Sequence, residues 1–163
     1  MKNSWIIIGM FILFISCNEK KSGFVQGSKL YNEFAMTKEL TKNLEINTQV
    51  KNQILDSLKL NIKQLEMKLN ATPTDELLQQ YELKKQEYLY KSKLFNEETQ
   101  SLQQTYTEQS LTQINQYIME FGKAHQYEYI FGANGNGSIM YADEQNDITE
   151  QVLTYVNDKY QGK

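Results

Sequence analysis

Few residues in this chain could do covalent chemistry, since it holds one histidine and one cysteine. His125 is flanked by Lys123-Ala124 and Gln126-Tyr127. A general base needs a nucleophile and an orienting acid beside it, and neither is visible there, so His125 is expected on the surface. No His/Cys cluster exists on which to build a metal site. Asp143, Glu144 and Asp147 could loosely hold Ca²⁺, but helix capping explains Asp147 better, because Ile148-Thr149-Glu150 follows it. The Asn134–Gly137 segment is glycine-rich, yet no Lys-Ser/Thr follows and no helix opens there, as a phosphate loop requires. No catalytic residue, cofactor or metal is expected.

Cys17 is different, because its context carries meaning. Met1-Lys2 supplies a positive charge, and Trp5 to Ile15 is almost unbroken apolar sequence. A bilayer span needs ~20 residues, so this run suits the core of a secretory signal instead. It ends in Phe14-Ile15-Ser16-Cys17 and gives way at once to Asn18-Glu19-Lys20-Lys21. A small residue directly before a cysteine at that place resembles the lipobox of bacterial lipoproteins, with Phe14 where leucine is usual. The resemblance implies cleavage before Cys17 and acylation of its thiol, which tethers the mature chain to a membrane. The alternative is an ordinary signal peptide with an incidental cysteine. A lone thiol can make no internal disulfide, and left free in an oxidising compartment it would be a liability.

The remaining composition points to helices that hold rather than react. There are 8 glycines and 1 proline, Pro73, and no arginine. Apolar residues make up 40%, part of them spent before Cys17, so the mature chain has too little for a thick core. It should be elongated, oligomeric or both. Net charge is −3 and lacks the basic, Arg-containing footprint of nucleic-acid binding.

The positions between are organised at helical spacing. From Ser28 to Asn70, Leu40, Leu44, Val50, Ile54, Leu58, Ile62, Leu65 and Leu69 form a narrow stripe. Asn70–Asp75 breaks it, with Thr72 placed to cap, Pro73 to start the next helix and Asp75 to complete a capping box. A second helix is expected to run to Lys123, ended by Gly122. In it Tyr81, Tyr88, Phe95 and Leu102 stand seven apart. Helices of ~40 and ~50 residues would reach ~60–75 Å, and a short turn makes them antiparallel. Tyr127–Phe131 and Ser138–Ala142 read as strands around an Asn-Gly turn, a hairpin signal. Asp147 opens a last helix. Gly23–Gln26 reads as a first short strand.

Phe24-Val25 ahead of Lys29-Leu30-Tyr31-Asn32-Glu33-Phe34 is similar to the opening of the OmpH/Skp periplasmic chaperones. Tyr127–Ile130, Tyr141-Ala142, Asp147-Ile148-Thr149 and Val152-Leu153 resemble that family's closing signature. The resemblance spans almost all of the mature chain. The expected fold is α+β, a small β-sheet body carrying a long antiparallel α-helical hairpin arm. Residues 1–16 would be the lipoprotein signal peptide, 17–29 the lipidated N-terminus and first strand, 30–124 the arm with its turn near 70–74, and 125–163 a β-hairpin and C-terminal helix. The resemblance further implies a homotrimer with a shared β-barrel and unfolded outer-membrane proteins as partners, bound without ATP in the periplasm. Family members known for strongly basic arms differ from this chain. Residues 30–124 hold 11 Lys against 13 Asp and Glu, so a lipid anchor, not charge, would supply membrane proximity.

Two roles are open for the row Tyr81, Tyr88, Phe95 and Leu102. It could zip the two helices together, or it could meet clients, since tyrosine presents an apolar face and a polar tip. If it is the seam, client contact falls to neighbours such as Leu83, Tyr90 and Leu94. Phe24, Val25, Ile130, Ile139, Tyr141, Ile148 and Val152 are expected in the body core or trimer interface. Two functions compete: a tethered holdase for envelope proteins, and a structural coiled-coil lipoprotein acting as spacer or scaffold.

Overall fold

The computed structural model describes residues 21–133 and 139–163. The signal segment, Cys17, the Asn134–Gly137 turn and Ser138 lie outside the described residues. Strand β1 (Lys21–Gln26) leads into α1 (Gly27–Glu33), then α2 (Ala35–Ala71) and α3 (Asp75–Ala124). Strand β2 (Tyr127–Ala133), a single 3-10 turn (Glu144–Asn146) and α4 (Thr149–Tyr160) complete the chain. The fold is α+β, mostly helical, with a long hairpin arm and a small sheet.

The arm forms because α2 and α3 contain no proline and no buried charge without a partner. Their meeting faces nevertheless differ from the apolar stripe of α2. Leu40, Leu44, Leu58, Ile62, Leu65 and Leu69 are buried or half-buried as expected, but Val50 and Ile54 are 51% and 38% exposed. Thr48, Lys51 and Leu55 take the inward positions instead. Helical geometry requires this: steps of four and three from Leu44 reach 48, 51 and 55, whereas 50 and 54 fall on the neighbouring face. Lys51 can occupy a seam position because its amine reaches Glu98 Oε2 at 2.9 Å and lies 5.6 Å from the Phe95 ring centroid. Its side chain is only 14% exposed.

Some boundaries differ from those the spacing predicts. The first long helix is two helices, broken at Phe34 (φ −65°, ψ 129°). The break lets Leu30 and Phe34 both bury, and Asn157 Oδ1 accepts from the Ala35 N–H at 2.7 Å. At the arm tip Thr74, not Thr72, caps α3, accepting from Leu77 N–H at 3.2 Å. Pro73 therefore lies in the turn. Gly122 does not end α3 but sits buried within it, where an added Cβ would stand 3.3 Å from Ile130 Cδ1. That missing side chain lets β2 fold back against the helix.

The body is a two-stranded parallel sheet, with Gly23 paired to Ile130 and Gln26 to Ala133. The expected β-hairpin is absent among the described residues: Ile139–Ala142 form no strand, and Met140 and Tyr141 are 90% and 86% exposed. β2 takes β1 as its partner, across the chain from its own sequence neighbours, and Asp147 bridges to β1 on its own account. Beneath the sheet Val25, Leu30, Phe34, Ile114, Phe121, Ile148, Val152, Leu153 and Val156 make one core.

Helix α4 is clamped to β1 by hydrogen bonds. Asp147 Oδ2 accepts from Gln26 Nε2 at 2.7 Å, and Asp147 Oδ1 accepts from the Thr149 N–H at 2.9 Å and from its hydroxyl. Thr149 Oγ1 in turn accepts from the Gln26 N–H at 2.9 Å. Burial pushes the Asp147 carboxyl up, but the Thr149 and Gln26 hydrogen bonds and the Lys29 charge outweigh it and hold the group below its ordinary value. Glu150 does not close a capping box; it pairs with Lys29. Gly23 lies under this clamp, where a Cβ would stand 3.0 Å from Ile148 Cδ1 and 3.2 Å from Asn146 O.

Candidate functional site

The arm carries more apolar surface than its own packing uses. On α2, Ile46, Val50 and Ile54 follow one another at steps of four and are exposed beside the seam, with Leu60 and Met67 further toward the tip. On α3, Leu78, Leu83, Leu89 and Tyr90 are likewise exposed. These side chains are spaced out among Lys, Glu, Asn and Gln, so they form scattered footholds and not one greasy patch. Leu83 and Tyr90 stand 57% and 68% exposed, and Leu94 is half-buried.

Tyr81, Tyr88, Phe95 and Leu102 are all half-buried. Lys59 lies 5.7 Å from the Tyr88 centroid and Lys51 lies over Phe95, so cations of α2 reach at least two rings of the row. The open flanks of this contact hold two grooves, of about 510 and 580 Å³. Lys51 lines both, with Leu89 and Phe95 in one and Leu94 and Leu102 in the other. A small cavity of about 120 Å³ lies at the arm root, lined by Thr37, Tyr106 and Ser110 among others. The buried Thr37 and Ser110 hydroxyls have no protein partner there, and such a polar space suits water. The arm is thus loosely packed along much of its length. Along its surface, hydrogen bonds from Lys84 and Lys91 hold the Glu87 carboxyl down to about 2.

A second exposed region lies on the body. Tyr129 and Phe131 stack at 5.9 Å between centroids on β2, and both are half exposed. With Phe24, Ile139, Met140 and Tyr141 around it, Phe131 lines an open groove of about 750 Å³. Of the body residues singled out from the sequence, Val25, Ile148 and Val152 are buried in the core. Phe24, Ile130 and Ile139 are half-buried, and Tyr141 is in the open.

The titratable groups of the body are engaged in structural contacts. His125 stacks on Phe121 at 4.1 Å between centroids, and its Nδ1 lies 3.0 Å from Phe121 O. Asp143 accepts from the Gln145 N–H, and Asp147 is engaged in the α4 clamp. Among the described residues no group of three or more His, Cys, Asp and Glu could hold a metal ion, and no helix is long and apolar enough to cross a membrane.

Fold and surface define a class: a small body bearing a long helical arm with dispersed, exposed apolar side chains. The outer membrane protein (OmpH-like) family matches residues 21–156. The chain belongs to that family, one of periplasmic chaperones and not of enzymes. None of the curated proteins matches it.

Proposed function

We propose that this protein is an ATP-independent holdase that binds unfolded outer-membrane and envelope proteins in the periplasm and prevents their aggregation. The observation that carries the reading is the exposed stripe Ile46–Val50–Ile54, on the face beside a seam that spends Thr48 and Lys51 on packing. An arm evolved only to span distance would gain by turning those apolar residues inward. Exposed and diluted by polar neighbours, they offer many weak contacts, enough to retain an unfolded chain without giving it one surface to fold on.

The active form is a homotrimer. The stacked Tyr129 and Phe131, with Met140 and Tyr141, leave an apolar surface of the kind assembly covers, and β2 pairs only with β1 among the described residues. Acylation of Cys17 tethers the trimer to a membrane. The test is light scattering from an unfolded β-barrel membrane protein diluted out of denaturant. Suppression of aggregation near one trimer per client supports the holdase. No suppression overturns it and leaves the spacer role.

A further inference from the structure

The structure fixes where the chain enters the body relative to the arm. Helix α3 runs from the arm tip at Asp75 to Ala124 without interruption, a length of ~75 Å. At its far end the backbone reverses through Gln126 (φ 58°) into β2. Because Lys21 pairs with Tyr127 in the parallel register, β1 begins at that same end. The chain therefore enters beside the C-terminal end of α3, the end away from the α2–α3 turn. Cys17 is four residues before Lys21, and four residues span at most ~14 Å.

That pole has its own chemistry. Phe121, His125, Tyr127 and Tyr155 form a connected set of stacked and edge-on rings. Lys21 lies 4.1 Å from the Tyr127 centroid and Lys159 lies 5.7 Å from that of Tyr155, with Lys123 exposed nearby. Glu120, paired with Lys159 at 3.5 Å, and Glu128 are the acids there. Phe121 is buried in the core and Tyr127 and Tyr155 are half-buried against it, so what this end shows to solvent is His125, the open edges of the two tyrosines and the exposed Lys21, Lys123 and Lys159. Half-buried tyrosine edges rimmed by lysines suit the headgroup layer of a bilayer, where amphipathic rings settle and cations meet anionic lipid. The opposite pole is acidic: across residues 66–80, Lys68 stands against Glu66, Asp75 and Glu76.

We infer that the pole carrying Lys21, Tyr127, Tyr155 and Lys159 rests on an anionic bilayer surface and that the arm projects away from it. This rests on the lipid anchor at Cys17 proposed above. The arm tips then work at the full reach of the molecule from the membrane that holds it, and a client is gathered from the periplasmic space.

Trp5 is the chain's single tryptophan and precedes Cys17, so residues 17–163 accept a tryptophan reporter without background. Ala124→Trp marks the body pole and Ala71→Trp the arm tip, both at exposed positions. Each protein is purified from membranes, its Cys17 acyl mass is checked, and it is reconstituted in vesicles of phosphatidylethanolamine and phosphatidylglycerol bearing a dansyl headgroup. Strong energy transfer from Ala124→Trp and little from Ala71→Trp is expected. Adding Lys21→Glu and Lys159→Glu should cut the Ala124→Trp transfer at least twofold. With the acyl mass present, transfer from Ala71→Trp equal to or above that from Ala124→Trp overturns the orientation. Transfer from Ala124→Trp unmoved by the two charge reversals overturns the lipid contact. A missing acyl mass overturns the anchor instead, and coupling Cys17 to a maleimide lipid then reads the orientation alone.

Discussion

Asn157 Oδ1 accepts a hydrogen bond from the Ala35 backbone N–H at 2.7 Å, and Asn157 Nδ2 donates to Glu33 O at 3.4 Å. A side chain of the last helix thus serves as the N-cap of the arm, which has no capping side chain of its own at Phe34. The contact spans more than a hundred residues of sequence and joins the two ends of the body at the point where the arm begins.

Asn157→Ala should therefore loosen the arm root. Loss of a cap costs ~1 kcal/mol, and hydrogen exchange should speed up selectively at the first turn of α2. A uniform change across the arm would contradict the capping role.

The Lys51–Glu98 pair separates packing from charge. Lys51 fills a seam position with its stem, so Lys51→Ala should destabilise the arm by ~1–2 kcal/mol through lost packing. Lys51→Met keeps that volume and sheds the desolvated charge, and should leave the melting temperature unchanged or raise it. Equal losses in both variants would mean the ion pair itself holds the arm.

Asp147 makes acid stability depend on the α4 clamp. Its folded pKa is depressed from 3.8 by the Thr149 and Gln26 hydrogen bonds and the Lys29 charge, which outweigh burial. A depressed carboxylate contributes stability above its unfolded pKa and loses it as pH falls through the folded value. The melting temperature should fall as pH drops below about 4. Asp147→Asn should melt lower at neutral pH and show a flatter acid limb.

Assembly has a separate test. Phe131→Glu places a charge beside Tyr129 and in the groove with Met140 and Tyr141. It should reduce the mass seen by light scattering from trimer toward monomer while the helical content stays. A trimer that survives the substitution would place the interface elsewhere.

Much of this fold was legible in the sequence. The arm, its turn and the last helix follow from apolar spacing and from Pro73. The rest depends on contacts distant in sequence. Phe34 breaks a helix with no glycine or proline, because Asn157 supplies the cap. Gly122 reads as a stop, but is a place where Ile130 packs. The two strands around the Asn-Gly turn look like a hairpin, yet β2 pairs in parallel with β1, more than a hundred residues earlier. The exposed stripe of α2 follows from helical phase. Val50 and Ile54 belong to the apolar stripe of the sequence, but helical phase puts Thr48, Lys51 and Leu55 in the seam. That signal was available in the spacing.

The most direct measurement of the central claim is aggregation of an unfolded β-barrel protein in the presence of Ile46→Ser, Val50→Ser and Ile54→Ser combined. These side chains are exposed, so the variant should fold, trimerise and melt like the parent. The account predicts that it loses at least half of the parent's suppression of light scattering. Full suppression by a folded triple variant would contradict it, and would show that clients are held somewhere other than the exposed stripe of the arm.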